Sequence, residues 1–150
     1  MDHPHLKYQR LIDFCKALPP TSVAVAHPCD EASLTGAMDA ARAGLIAPLL
    51  VGPRDRIEAT ARRFGIDISG VPIIDVPHSH AAAERAVELV REGKAEALMK
   101  GSLHTDELMG AVVRRDTGLR TARRVSHCFV MDVPSYEHTL IVTDAAVNIA

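Results

Sequence analysis

The chain has 150 residues, is 47% hydrophobic and 24% charged, and sets 17 Lys+Arg against 19 Asp+Glu. A net charge of −2 and an aromatic content of 3% without Trp leave no polyelectrolyte field for nucleic acid or an anionic membrane, and no platform for stacking bases. A domain of this size buries roughly 70% of its unfolded surface, so its core must be built from Ala, Val, Ile, Leu and Met.

Met1 to Arg10 is polar and lacks the apolar stretch of a signal peptide, and no apolar run reaches the ~18 residues of a membrane span. His3 and His5 read as terminal and disordered. Cys15, Cys29 and Cys128 are scattered, odd in number and without a CxxC pair. A cytoplasmic protein in a reducing compartment is expected.

His5 to Leu18 carries Leu6, Leu11, Ile12, Phe14, Cys15 and Leu18 at near-helical spacing, and Pro19-Pro20 stops it. Thr21 to His27 (TSVAVAH) reads as a short buried strand. Asp30 is placed to cap a helix from Glu31 to Ala43, with Gly44 at its end. Ala47 to Gly52 is a second strand, and Pro53 opens a helix that runs through Phe64 to a stop at Gly65. Val71 to Val76 is a third strand whose Pro72 suits a strand start or a sheet edge.

Ser79 to Gly93 is an alanine-rich helix with Ala82, Ala86, Leu89 and Val90 on one face. Ala95 to Lys100 is a fourth strand, Gly101 to Thr105 a turn, and Glu107 to Asp116 a helix closed near Gly118. The rhythm then changes. Arg124 to Val133 and His138 to Asp144 are consecutive strands joined by Pro134-Ser135-Tyr136-Glu137, a connection that suits a hairpin and not a crossover helix. The pattern predicts an α/β three-layer sandwich with a mostly parallel sheet, ending in an antiparallel strand pair. Residues 145–150 close the chain without a polar tail, the ending expected of a fragment of a longer protein.

There is no P-loop, no GxGxxG after the first strand (His27-Pro28-Cys29-Asp30 stands there), no GxSxG elbow and no HExxH. The most informative segment is Lys100-Gly101-Ser102-Leu103-His104-Thr105, at the carboxyl end of a strand, where open α/β sheets bind ligands. Gly101 allows a close approach of amides to an anion, Ser102 and Thr105 offer hydroxyls, Lys100 offers a charge, and a helix start follows. The bland alternative is a glycine turn with a Ser/Thr cap.

Thr143-Asp144, with Asn148 four residues on, closes another strand with polar groups that suit the same crevice; a helix-capping Asp is the alternative. Ser126 and Cys128 point away from His127 by strand alternation, which argues against a Cys–His nucleophile pair. Arg114, Arg115, Arg120, Arg123 and Arg124 read as a solvated helix end, with a phosphate anchor as the alternative. His78 and His80 are an i, i+2 pair with no third metal ligand nearby, so a surface loop is preferred and no metal site is expected.

Three stretches together, Leu98 to Met109 (LMKGSLHTDELM), Gly118 to Ala150, and Leu50 to Ile57 (LVGPRDRI), resemble the phosphate acetyltransferase and phosphate butyryltransferase family. The likeness is to the butyryl-type branch and to the transacylase part of bifunctional enoyl-CoA hydratase/phosphate acetyltransferases. The resemblance implies an isocitrate-dehydrogenase-like fold of two α/β domains, a homodimer, and a chain about twice as long, of which residues 1–150 would be the N-terminal part.

The implied activity is acyl transfer between coenzyme A and inorganic phosphate, with CoA a substrate and no cofactor or metal. Matching the motif places Lys100, Gly101, Ser102, His104 and Thr105 on the phosphate side of the cleft, and Ser126, Thr143, Asp144 and Asn148 near it. The general base is then expected beyond Ala150, which leaves the catalytic residues unassigned and this stretch alone inactive. KGSLHT departs from the versions associated with either branch, so acyl length stays open. Two other readings stand beside this one: a non-catalytic acyl-CoA or phospho-metabolite binding domain, and a decarboxylating dehydrogenase, for which no metal-binding aspartates can be named.

Overall fold

A computed structural model describes residues 6–149, with side chains for residues 6–144. His3, His5 and Ala150 lie outside the described residues, as does the side chain of Asn148. In chain order the first elements are α1 (Leu6–Lys16), β1 (Thr21–Ala26), α2 (Glu31–Arg42), β2 (Ile46–Gly52), α3 (Arg54–Phe64) and β3 (Ile73–Asp75). They are followed by α4 (Ser79–Arg91), β4 (Ala97–Lys100), α5 (Thr105–Val112), β5 (Val125–Met131) and β6 (Leu140–Ile149). The chain divides into a sheet unit, Pro19–Arg120, and a hairpin unit made of Met1–Leu18 and Thr121–Ala150.

In the sheet unit four parallel strands lie in the order β3-β2-β1-β4. Ala26 pairs with both Val51 and Lys100, and Gly52 with Asp75, so all four strands end at one edge. Strand alternation gives β1 two faces. Val23 and Val25 pack with Leu34, Met38, Ile57 and Ala61 of the α2–α3 layer. Ala24 and Ala26 pack with Ala82, Ala83 and Ala86 of α4 and with Leu108 and Ala111 of α5. Small side chains on both sides of that contact let helix and sheet approach closely. The expected three-layer sandwich is present, with β3 at an edge as Pro72 suggested.

The local signals act as their chemistry predicts. The Asp30 carboxylate accepts the Ser33 amide at 2.8 Å and caps α2. Gly65 takes the left-handed conformation (φ 64°) that ends α3. Pro53 precedes α3 as its cap residue and is not its first helical residue. α5 departs more from expectation, running Thr105–Val112 where Glu107 to Asp116 was predicted. The reason is a cap: Glu107 Oε2 accepts the His104 amide at 2.9 Å, which makes Glu107 the third helical residue. Among the described residues no helix is long and apolar enough to cross a membrane.

The hairpin unit holds the expected antiparallel pair, β5 with β6. Two expectations change here. The connection runs from Asp132 to Thr139, longer than the four residues anticipated. β6 also does not end at Asp144; it continues to Ile149. Asp144 sits at φ 60°, where the register shifts: Cys128 faces Thr143, and Ser126 faces Asn148. A left-handed residue inside a strand breaks the ladder and produces a bulge, so Asp144 neither closes the strand nor caps a helix. No side chain of α1 is buried. That helix is tied to the β5–β6 connection by Lys7, which donates to Val133 O and Tyr136 O and pairs with Asp132.

Candidate functional site

The order of the strands locates the crevice. From β1 the chain passes through α2 to β2 on one side, and after β3 it returns through α4 to place β4 on the other side of β1. Since α2 and α5 cover opposite faces, the loops after β1 and β4 part at the carboxyl edge, the topological switch point where such sheets bind ligands. Two segments meet there: His27 to Asp30, and Gly101 to His104.

Their contact is close. The Gly101 amide donates to Ala26 O at 2.9 Å, and the Ser102 amide to His27 O at 2.8 Å. Ser102 Oγ donates to His27 O at 2.8 Å and accepts the Cys29 amide at 3.1 Å. A Cβ on residue 101 would lie 2.4 Å from Ala26 O, so only glycine fits. With the amides of Gly101, Ser102 and His104 all engaged inside the fold, these three are not free for an anion. The groups that remain outward are side chains: Lys100, His104 and Thr105 are exposed, whereas Ser102 is half-buried.

Charges at this edge are tuned. The Ser33 hydroxyl and amide hold the Asp30 carboxyl below the usual carboxylate range, with Lys100 acting in the same direction. Burial pushes the Cys29 thiol up, an effect that Arg56 partly opposes. Cys29 is therefore a thiol near neutrality and is not an activated nucleophile. Glu107 joins the helix starts of α4 and α5: beyond the His104 amide, it accepts the Ser79 hydroxyl at 2.9 Å and pairs with His80 Nδ1 at 2.8 Å. The His104 amide and the Ser79 hydroxyl hold its carboxyl below the usual range.

The remaining candidates have plain roles. His78 caps α4 by accepting the Ala81 amide through Nδ1 at 3.2 Å. Among the described residues no group of three or more His, Cys, Asp or Glu is placed to hold a metal ion. Arg114 follows the end of α5 and pairs with Glu84 of α4 at 2.7 Å, in keeping with a solvated helix end.

In the hairpin unit the Asp144 carboxylate accepts hydrogen bonds from the Ser126 and Thr143 hydroxyls, which hold it below the usual range. Three candidates are thus brought together at the β6 bulge, with Asn148 opposite Ser126 in the ladder. The other five belong to the sheet unit. His27, Cys29 and Glu107 also lie at the sheet's carboxyl edge or beside it, although no motif in the sequence marks them as site residues. The signal for the first two was His27-Pro28-Cys29-Asp30, a polar run directly after a buried strand.

Residues 80–150 match the family model described as phosphate acetyl/butaryl transferase. The chain is similar to a phosphate acetyltransferase of Rhizobium meliloti, 58% identical over 143 residues, a match that covers 95% of this chain and 45% of that protein. It is 37% identical over 126 residues to a phosphate butyryltransferase of Clostridium acetobutylicum, covering 84% of this chain and 42% of that protein. The EutD phosphotransacetylase from Staphylococcus aureus shares the fold at a TM-score of 0.68 and 16% identity, over 93% of this chain and 51% of that one. The chain spans less than half the length of these two curated relatives.

Proposed function

We propose, from the match of residues 80–150 to the phosphate acetyl/butaryl transferase family model, that the polypeptide carrying this chain transfers a short acyl group between coenzyme A and inorganic phosphate. The reaction is acyl-CoA + phosphate ⇌ acyl phosphate + CoA. The observation that carries this reading is the switch-point crevice, where the family match includes Lys100 at its rim beside Ser102 and His104. An exposed ammonium is suited to a phosphoryl oxygen, and a Lys–phosphate contact is worth about 1.5–3 kcal/mol.

A CoA thiol has a pKa of about 8.5 and needs a proton acceptor near neutrality. Asp30, Glu107 and Asp144 are all held low by hydrogen bonds and are poor acceptors for it. We place the base in polypeptide of the relatives' length that residues 1–150 do not span, with these residues as the N-terminal part. A cytoplasmic homodimer that uses CoA as substrate and needs no metal completes the proposal. That these three carboxylates are held low also suits a second reading, a domain that binds acyl-CoA or a phospho-metabolite without turnover.

The test assays this chain and a polypeptide of the relatives' length side by side for CoA consumption with acetyl and butyryl phosphate. Turnover by the longer form alone is expected. Binding without turnover in both would support the second reading, and equal turnover would place the base within residues 1–150.

A further inference from the structure

His27 is 4% exposed and holds φ at 56°, a left-handed conformation uncommon outside glycine. Fold and side chain together explain why a buried imidazole stays there. Nδ1 lies 3.1 Å from Ser102 O and 3.2 Å from Ser102 Oγ. The Ser102 hydroxyl already directs its proton to His27 O. A lone pair on Nδ1 would then face the lone pairs of a carbonyl oxygen, so the proton belongs on Nδ1 and is donated to Ser102 O. Nε2 is buried and has no hydrogen-bond partner among the described residues. A proton there would leave a buried N–H with no acceptor among the described residues. Both ends of the ring favour the same tautomer.

We propose that His27 is a positioning residue. Locked in the Nδ1–H form, it clamps Ser102 across the switch point and thereby sets the Lys100–Ser102 turn toward a phosphoryl group. This rests on the acyl-transfer reading for the identity of the ligand, but not for the clamp. The clamp is reciprocal: backbone bonds run from Gly101 and Ser102 to Ala26 and His27, the Cys29 amide reaches Ser102 Oγ, and the imidazole closes the ring of contacts. Lys100 precedes this knot by one residue, so its backbone is held by the same contacts, and its ammonium lies 3.4 Å from Gly101 O.

The experiment uses the full polypeptide. Long-range 15N–1H correlation on His-labelled protein should show His27 as the Nδ1–H tautomer. His27→Gly keeps a backbone that accepts φ 56° and deletes the donor; His27→Asn tolerates that φ and returns an amide N–H to the position of Nδ1. With inorganic phosphate as the probe, H27G should raise Kd about fivefold, the equivalent of one neutral hydrogen bond, and leave the KM for CoA unchanged. H27N should stay within about twofold of the parent. An Nε2–H tautomer, H27G binding phosphate as tightly as the parent, or H27N behaving like H27G would each overturn the proposal. A parent protein without phosphate affinity would sink the acyl-transfer reading instead, and the tautomer would then decide the clamp by itself.

Discussion

The two units of this chain solve the burial problem differently. In the sheet unit each face of β1 is covered, and Leu34, Leu50, Ile57 and Ala86 are fully buried. In the hairpin unit Phe14 is 67% exposed and Ile141 66%, and the unit relies on a strand ladder and the ties between α1 and the β5–β6 connection. A two-stranded hairpin is marginal alone. The lesson is that periodicity and small residues are enough to specify the first unit, whereas polar contacts at particular positions specify the second.

That contrast can be broken by substitution. Gly101→Ala should be the most damaging change, since its Cβ would meet Ala26 O at 2.4 Å and His27 O at 2.5 Å. A loss of about 4 kcal/mol or more is expected in urea unfolding, and an unaffected midpoint would show that the crevice is not rigid. Leu34→Ala should follow at about 3 kcal/mol, as a full cavity in the core. Its counterpart Ile141→Ala should stay within about 0.5 kcal/mol, as an exposed site does. Equal effects from the pair would erase the distinction between the units.

Asp30→Ala should cost about 1 kcal/mol through loss of the α2 cap, visible as faster amide exchange at Ser33. The smallest effect concerns pH. Asp144 has its pKa lowered in the folded state by the Ser126 and Thr143 hydroxyls. Its contribution is present above the unfolded value of about 3.9 and disappears as pH falls through the folded one. Ser126→Ala should move the Asp144 titration upward by NMR, and no movement would mean that the bulge contact is absent in solution.

Much of the sheet unit was legible in the sequence because its signals are local. TSVAVA alternates Val and Ala between two faces, Gly65 must be left-handed, and Asp30 precedes a helix that it caps. β6 was misjudged because Asp144 looks like the end of a strand, while its role as a left-handed residue in a bulge is set by pairing with β5, which no neighbour in sequence reveals. The start of α5 was misplaced for a related reason: Glu107 acts backward on the His104 amide. For the site, the turn after β4 stood out because glycine and polar residues follow a strand. His27 did not, because its importance lies in a contact with Ser102 that spans 75 positions.

In the proposed function the carboxyl edge of the parallel sheet receives the phosphoryl group of an acyl-transfer reaction. The most direct measurement is steady-state acyl phosphate formation by a polypeptide of the relatives' length carrying Lys100→Ala, with phosphate and CoA thioester varied separately. A fall in kcat/KM for phosphate of about 10- to 100-fold is expected, from loss of one charge-assisted contact, with the KM for the thioester little changed. A kcat/KM for phosphate within about twofold of the parent would contradict it and move the phosphate site away from this edge.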